Sequence, residues 1–246
     1  SNPEVLDKYV SRIFRQILEW GYCVIKWDCL PASLQSWALL HDHFAYKRIS
    51  PEAGLRKVAA AARKAITEDT YLLSCSGQSE SDICGIMDFC DAARVGGDVF
   101  GWPEFITQGL ERILHFYPCH NTALHVDADN LVLRSEFNTL AQARTRVTIY
   151  ALCGLPVTVG DRLELLDEAR LDMLRRIMPP AIIRPQELVS KRMNGTMQLL
   201  CLHIAREYGS WCVGGICNLA DEEADFELDF NRDFHLEAAK DYAVFD

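Results

Sequence analysis

The residues best placed to do chemistry are two aspartates, Asp28 and Asp98, each just past an apolar, strand-like run. Asp28 closes Gly21-Tyr22-Cys23-Val24-Ile25-Lys26-Trp27-Asp28, whose apolar, β-branched middle predicts a buried strand. Asp98 follows Ala92-Ala93-Arg94-Val95 across a Gly96-Gly97 step. A buried parallel strand has no packing use for charge at its C-terminal end, but in a β/α barrel that end carries the catalytic groups. Two carboxylates facing each other across a cleft can cleave a glycosidic bond. One attacks the anomeric carbon while the other protonates the leaving oxygen and then activates water. A separation of roughly 5–5.5 Å gives retention, and a wider one inversion. Each acid has a cation nearby. Lys26 lies two residues before Asp28, on the same side of its strand, and would keep Asp28 ionised. Arg94, four residues before Asp98, could bind a sugar hydroxyl or orient the acid by a charge-assisted hydrogen bond. Trp27, Trp37 and Trp102 offer flat apolar faces for a sugar ring.

Each residue also has a plainer reading. Asp28 could cap the segment that follows it, and Asp98 the helix expected from Pro103. Lys26 and Arg94 could be ordinary salt-bridge partners, and tryptophans more often fill cores. Asp127, Asp129 and Asp161 read as loop-fixing residues. Cys119, His120 and His125 lack the paired spacing of a zinc site, so no metal is expected.

The elements that must position these groups alternate between strand and helix. Pro3 to Trp20 reads as an amphipathic helix, and Gly21 suits its end. Cys29 to Ser50 reads as an aromatic- and histidine-rich loop. Ser50-Pro51-Glu52 opens a helix to about Thr67. Strands are expected at Tyr71–Cys75, followed by a polar loop over 76–81, at Ala92–Val95, at Ala123–Val126 and at Pro156–Val159. Helices are expected around Phe105–Leu114, over Leu140–Cys153 and over Leu163–Ile177. Five strands alternating with helices predict a parallel β/α sheet. After Pro185 the style changes. Met197–Ala205, Ser210–Asn218, Phe226–Phe230 and Asp241–Phe245 read as strands of an antiparallel β domain, with Asp221-Glu222-Glu223 as a hairpin tip. The expected domains are thus 1–184 and 185–246.

A closed barrel needs eight strands, so about three β/α units are expected to precede Ser1 in the intact protein. An open, dinucleotide-binding sheet is disfavoured, because no glycine-rich phosphate loop follows any strand. The 246 residues are 49% hydrophobic with a formal net charge of −10, which supports a sizeable core and disfavours nucleic acid or an anionic membrane as partner. No apolar run reaches transmembrane length. The ten scattered cysteines fit reduced thiols and lean towards an intracellular protein.

The ordered motifs sharpen this. Trp20–Asp28 resembles the nucleophile segment of the retaining α-galactosidase clan (glycoside hydrolase families 27, 31 and 36), closest to family 36. Leu72-Leu73-Ser74-Cys75-Ser76-Gly77 with Asp91–Val99 is similar to the clan's cysteine-bearing strand and Arg-Ile-Gly-x-Asp acid/base segment. Asp127–Arg134 resembles its Asp-x-Asp segment, Ala151–Leu163 its last strand, and Tyr208–Asn218 its C-terminal β-sandwich. The resemblance implies a (β/α)8 TIM barrel, of which five units are present, followed by an antiparallel β-sandwich. It implies Asp28 as nucleophile and Asp98 as acid/base, with Lys26, Arg94, Trp27, Cys75, Trp102 and Asp161 as substrate-facing residues. It implies a small carbohydrate substrate and no cofactor. The chain departs from the family in Ser76–Ser81 and at His125-Val126, which leaves the sugar and linkage open. Transfer to a sugar acceptor, as in raffinose synthases, and a non-catalytic carbohydrate-binding barrel stand as alternatives.

Overall fold

The computed structural model describes residues 2–44, 46–77, 80–238 and 240–243. The chain divides into two compact units, one of Ser1–Val132 with Leu155–Gly160, the other of Leu133–Gly154 with Asp161–Asp246.

The first unit opens with a turn, Pro3–Val5, a π-helical segment, Leu6–Ser11, and helix α1 (Arg12–Glu19). It continues with β1 (Val24–Trp27), α2 (Leu30–Leu39), α3 (Pro51–Ala65), β2 (Tyr71–Ser74), α4 (Glu80–Ile86) and β3 (Ala92–Arg94). A π-helical segment, Phe105–Leu110, leads into α5 (Glu111–Phe116), and β4 (His125–Asp127) follows. β1 to β4 form a parallel sheet in chain order. β5 (Asn130–Leu131) and β6 (Thr158–Val159) form a parallel pair of their own.

Side chains alternate across this sheet. Ile25, Trp27 and Leu72 face the helices, in a core with Phe14, Leu30, Leu55, Ala59 and Ala62. Leu55, Ala59 and Ala62 recur at helical spacing on α3, and the small alanines let that helix approach the strands closely. Ser50 accepts from Ala53 N at 3.2 Å and Pro51 takes the first helical position, as its sequence foretells.

β1 differs from its expectation. Among the described residues it lies at the margin of the sheet and pairs on one side only, and Val24 is 62% exposed on the face away from the helices. The carbonyls of Cys23 and Trp27 accept from Tyr71 and Cys75 of the neighbouring strand. By alternation the backbone groups of Val24 and Lys26 point to the unpaired edge. The Cys29–Ser50 stretch is also not a loop. α2 and a 3-10 turn, His41–His43, occupy much of it. Leu30, Leu34 and Trp37 recur at helical spacing and pack into the core, outweighing the aromatic and histidine composition. The 76–81 stretch likewise leads into α4 from Glu80, with residues 78 and 79 outside those described.

The second unit contains α6 (Leu140–Cys153), α7 (Glu168–Arg176), β7 (Leu188–Met193), β8 (Met197–Arg206), β9 (Gly209–Asn218) and α8 (Phe230–Phe234). α6 starts on a Thr139/Gln142 capping box and stops at Gly154, with φ of 63°. The strands form an antiparallel sheet. α6 packs on one face of it, where a Cβ at Gly215 would meet Leu152 at 2.6 Å. Phe234 packs on the other, against Gly214. Central β8 is therefore buried from Met197 to Leu202.

Three expectations fail here. Phe226–Asp229 is irregular and Phe230 opens α8, because Asp229 accepts from Arg232 N as a helix cap. Asp221-Glu222-Glu223 forms no hairpin tip; the strands turn at Asn194-Gly195 and Glu207-Tyr208. Residues 241–243 form no strand, and 244–246 lie outside the described residues. No helix among the described residues is long and apolar enough to cross a membrane.

Candidate active site

The strand register arranges the candidate residues. Trp27 pairs with Ser74, Ser74 with Ala93, and Arg94 with Asp127. Continuing each ladder by one residue aligns Asp28, Cys75, Arg94 and Asp127 in a row across four neighbouring strands. All four stand on the face away from the helices, at the C-terminal end of the sheet. The row beneath is Lys26, Leu73, Ala92 and His125, again in register.

Asp28 is exposed and does not cap α2: the residue at the cap is Cys29, and no side chain caps that helix. Instead the Cys75 thiol and the Cys29 N–H, the latter at 2.7 Å, donate to its carboxylate. These bonds, aided by the charges of Lys26 and Arg94, hold the Asp28 carboxyl below the usual aspartate range. Burial, then the bond to Asp28, push the Cys75 thiol up to about 12, so it remains a protonated donor.

Asp98 is also exposed, with 82% of its side chain accessible, and it caps nothing either; Gly101 holds the cap position of the next helical turn. Arg94, 2% exposed, donates from Nη2 to Asp98 Oδ1 at 2.9 Å. Its Nη1 lies 2.8 Å from Asp129 Oδ1 and 3.9 Å from Cys75 Sγ. The two exposed acids are therefore joined through Cys75 and Arg94 on one face of the sheet. The loop carrying Asp98 is pinned at Gly96, where a Cβ would meet the Gln108 carbonyl oxygen at 1.8 Å, and Gly97 N donates to Gln108 Oε1 at 3.1 Å.

Sequence reasoning gave Asp129 only a loop-fixing part. It is 6% exposed and adopts a left-handed backbone, φ 70°, rare for a non-glycine residue. Its N–H donates to Asp127 Oδ1 at 3.1 Å, and its own Oδ2 accepts from Val99 N at 2.8 Å. Burial raises the carboxyl of Asp127 above the usual range, against the pull of Arg94. The signal in sequence was the Asp-x-Asp pair about Ala128.

Other expected residues do not join this row. Trp27 faces the helices and packs edge-on against Phe14 at 5.5 Å. The period of a strand puts it on the side opposite Asp28, so it is a core residue. Trp37 is likewise core, against Gly54. Trp102 stacks on Phe105 at 5.6 Å, four residues past Asp98. Asp161, in the second unit, has a fully buried side chain. Its Oδ2 accepts from the backbone of Leu133 and Arg134, and its Oδ1 pairs with Arg134 at 3.0 Å. His125 Nδ1 bonds the Tyr71 hydroxyl at 2.8 Å, and His120 Nδ1 accepts from Val126 N at 3.0 Å. Among the described residues, no group of three or more His, Cys, Asp or Glu side chains could hold a metal ion.

No protein-family model and no curated protein sequence matches this chain. Its fold is similar to that of solved glycosidases. A family GH27 β-L-arabinopyranosidase from Geobacillus stearothermophilus matches with a TM-score of 0.55 at 16% identity, over 82% of this chain and 49% of that one. A variant of that enzyme in complex with arabinose matches at 0.52 and 17%, over 79% and 48%. α-Galactosidase I from Mortierella vinacea matches at 0.50 and 14%, over 79% and 55%. The chain thus spans about half the length of these structures, and the likeness is one of α/β fold.

Proposed function

We propose that this chain carries the catalytic face of a retaining glycosidase of the α-galactosidase clan, closest to family 36, acting on α-galactosides or related α-linked sugars. Residues 1–184 would be the C-terminal part of a (β/α)8 barrel, and 185–246 the β domain that follows it. The unpaired edge of β1 would accept the barrel's remaining strands. The observation that carries the reading is the row Asp28–Cys75–Arg94–Asp127. It presents an ionised carboxylate on β1 and, through Arg94, fixes a second acid beyond β3.

In this reading Asp28 attacks the anomeric carbon while Asp98 gives its proton to the leaving oxygen. Asp98 then takes a proton from the incoming water, which cleaves the glycosyl–Asp28 ester. Attack needs an ionised nucleophile, which the Cys75 and Cys29 donors supply. Lys26 and Cys75 would also meet sugar hydroxyls, Arg94 would orient Asp98, and Trp102 would stack on the ring. Trp27 and Asp161 are left out, since the first is core and the carboxylate of the second is fully engaged.

Incubation with p-nitrophenyl α-galactoside and p-nitrophenyl β-L-arabinopyranoside tests the proposal. Release of the phenol that Asp28→Ala abolishes supports it, and a sugar acceptor that captures the glycosyl group would make the activity a transfer. Turnover unchanged in Asp28→Ala, or sugar binding with no turnover of any glycoside, would overturn it.

A further inference from the structure

We infer that Asp129 is the positioning residue that makes Asp98 a competent acid. The inference rests on the catalytic reading above but concerns a residue which that reading does not use. Asp129 stands between the two things that fix Asp98. One oxygen pairs with the same guanidinium that holds Asp98, at 2.8 Å, and the other takes the N–H of Val99, the residue directly after Asp98, at 2.8 Å. Asp98 is thus gripped through its side chain and through its backbone by one carboxylate. The backbone of Asp129 is itself held by Asp127, whose Oδ1 takes the Asp129 N–H at the left-handed turn.

The charge balance gives the second half of the inference. Arg94 is 2% exposed, so its charge is poorly screened by water. Unopposed, it would favour loss of the proton that Asp98 must deliver. The buried carboxylate of Asp129, on the other terminal nitrogen of the guanidinium, opposes that field and leaves the directional hydrogen bond in place. The other charges on this face are Lys26 and Asp28 at the end of β1 and Asp127 at the end of β4. Among the described residues, the buried acid in an ion pair with Arg94 is Asp129. The isosteric change Asp129→Asn keeps the shape and removes the opposing charge.

Two readouts test this on the whole chain. The first is turnover of an alkyl α-galactoside, whose poor leaving group needs the acid, against a dinitrophenyl α-galactoside, which does not. Asp129→Asn should slow the first by about 100-fold and the second by less than about threefold. The second does not depend on activity. Carbodiimide-driven labelling of carboxylates with glycine ethyl ester, read by peptide mass spectrometry, should rise several-fold at Asp98 in Asp129→Asn, while buried Asp161 and Asp233 stay protected. If the wild-type chain turns over neither substrate, the catalytic reading fails, and the labelling still decides whether Asp129 holds Asp98. Equal losses on both substrates, unchanged labelling at Asp98, or a rise shared by Asp161 and Asp233 would each overturn the positioning role.

Discussion

The ends of β1 and β3 each present an exposed aspartate, but the two are supported in opposite ways. Asp28 is held by neutral donors, a protonated thiol and a backbone N–H. Asp98 is held by a buried cation that is in turn paired with a buried carboxylate. Neutral donors favour the charged form of an acid, and the charges of Lys26 and Arg94 add to them from a distance. A compensated cation fixes direction at little net charge. The first arrangement suits a group that must stay ionised, and the second a group that must change protonation without moving.

The sharpest way to break this contrast is to remove each acid. Asp28→Ala should lower kcat by about four orders of magnitude on every substrate, because no other group replaces the nucleophile. Asp98→Ala should cost about 10²–10⁴ on alkyl glycosides and far less on activated aryl glycosides. Added azide, which needs no general base, should restore part of the second step. A smaller effect is expected at the support of Asp28. Cys75→Ala removes the leading donor that keeps this carboxyl low, so its proton is lost only at higher pH. The acid limb of the kcat/KM profile should move upward, while activity at neutral pH, where Asp28 stays ionised either way, changes little through this effect. An unmoved limb would take the thiol out of the support. The smallest effect contrasts the two faces of the sheet. Leu72, fully buried against the helices, should cost about 2–5 kcal/mol as Leu72→Ala in urea unfolding. Val24, exposed at the edge, should cost within about 0.5 kcal/mol as Val24→Ala.

Much of this was legible in the residues. The parallel strands β1 to β4 and the helices α3 and α6 follow from apolar periodicity and, for α3, from the Ser50 cap. Asp28 and Asp98 could be picked out because charge at a strand's end has no packing role. Lys26 on the face of Asp28 follows from a period of two. The same period argued against Trp27 as a sugar platform, but its type was read before its side. α2 was obscured because His41, His43, Phe44 and Tyr46 after it gave the whole stretch a loop-like composition, although Leu30, Leu34 and Trp37 recur at helical spacing. Phe226–Phe230 alternates like a strand, yet the Asp229 cap turns the chain into a helix. The part played by Asp129 was legible only as one member of an Asp-x-Asp pair that fixes a loop. It depends on which strand lies beside which, and on a backbone angle that no side-chain pattern records.

The most direct test is covalent. Incubation with a 2-deoxy-2-fluoro glycosyl fluoride of the substrate sugar slows hydrolysis of the ester more than its formation, so the intermediate should accumulate and be found by mass spectrometry. The account predicts one added glycosyl group, located by fragmentation on Asp28 and absent in Asp28→Ala. A label on any other carboxylate, or its persistence in that variant, would contradict the assignment of β1 as the strand that carries the nucleophile.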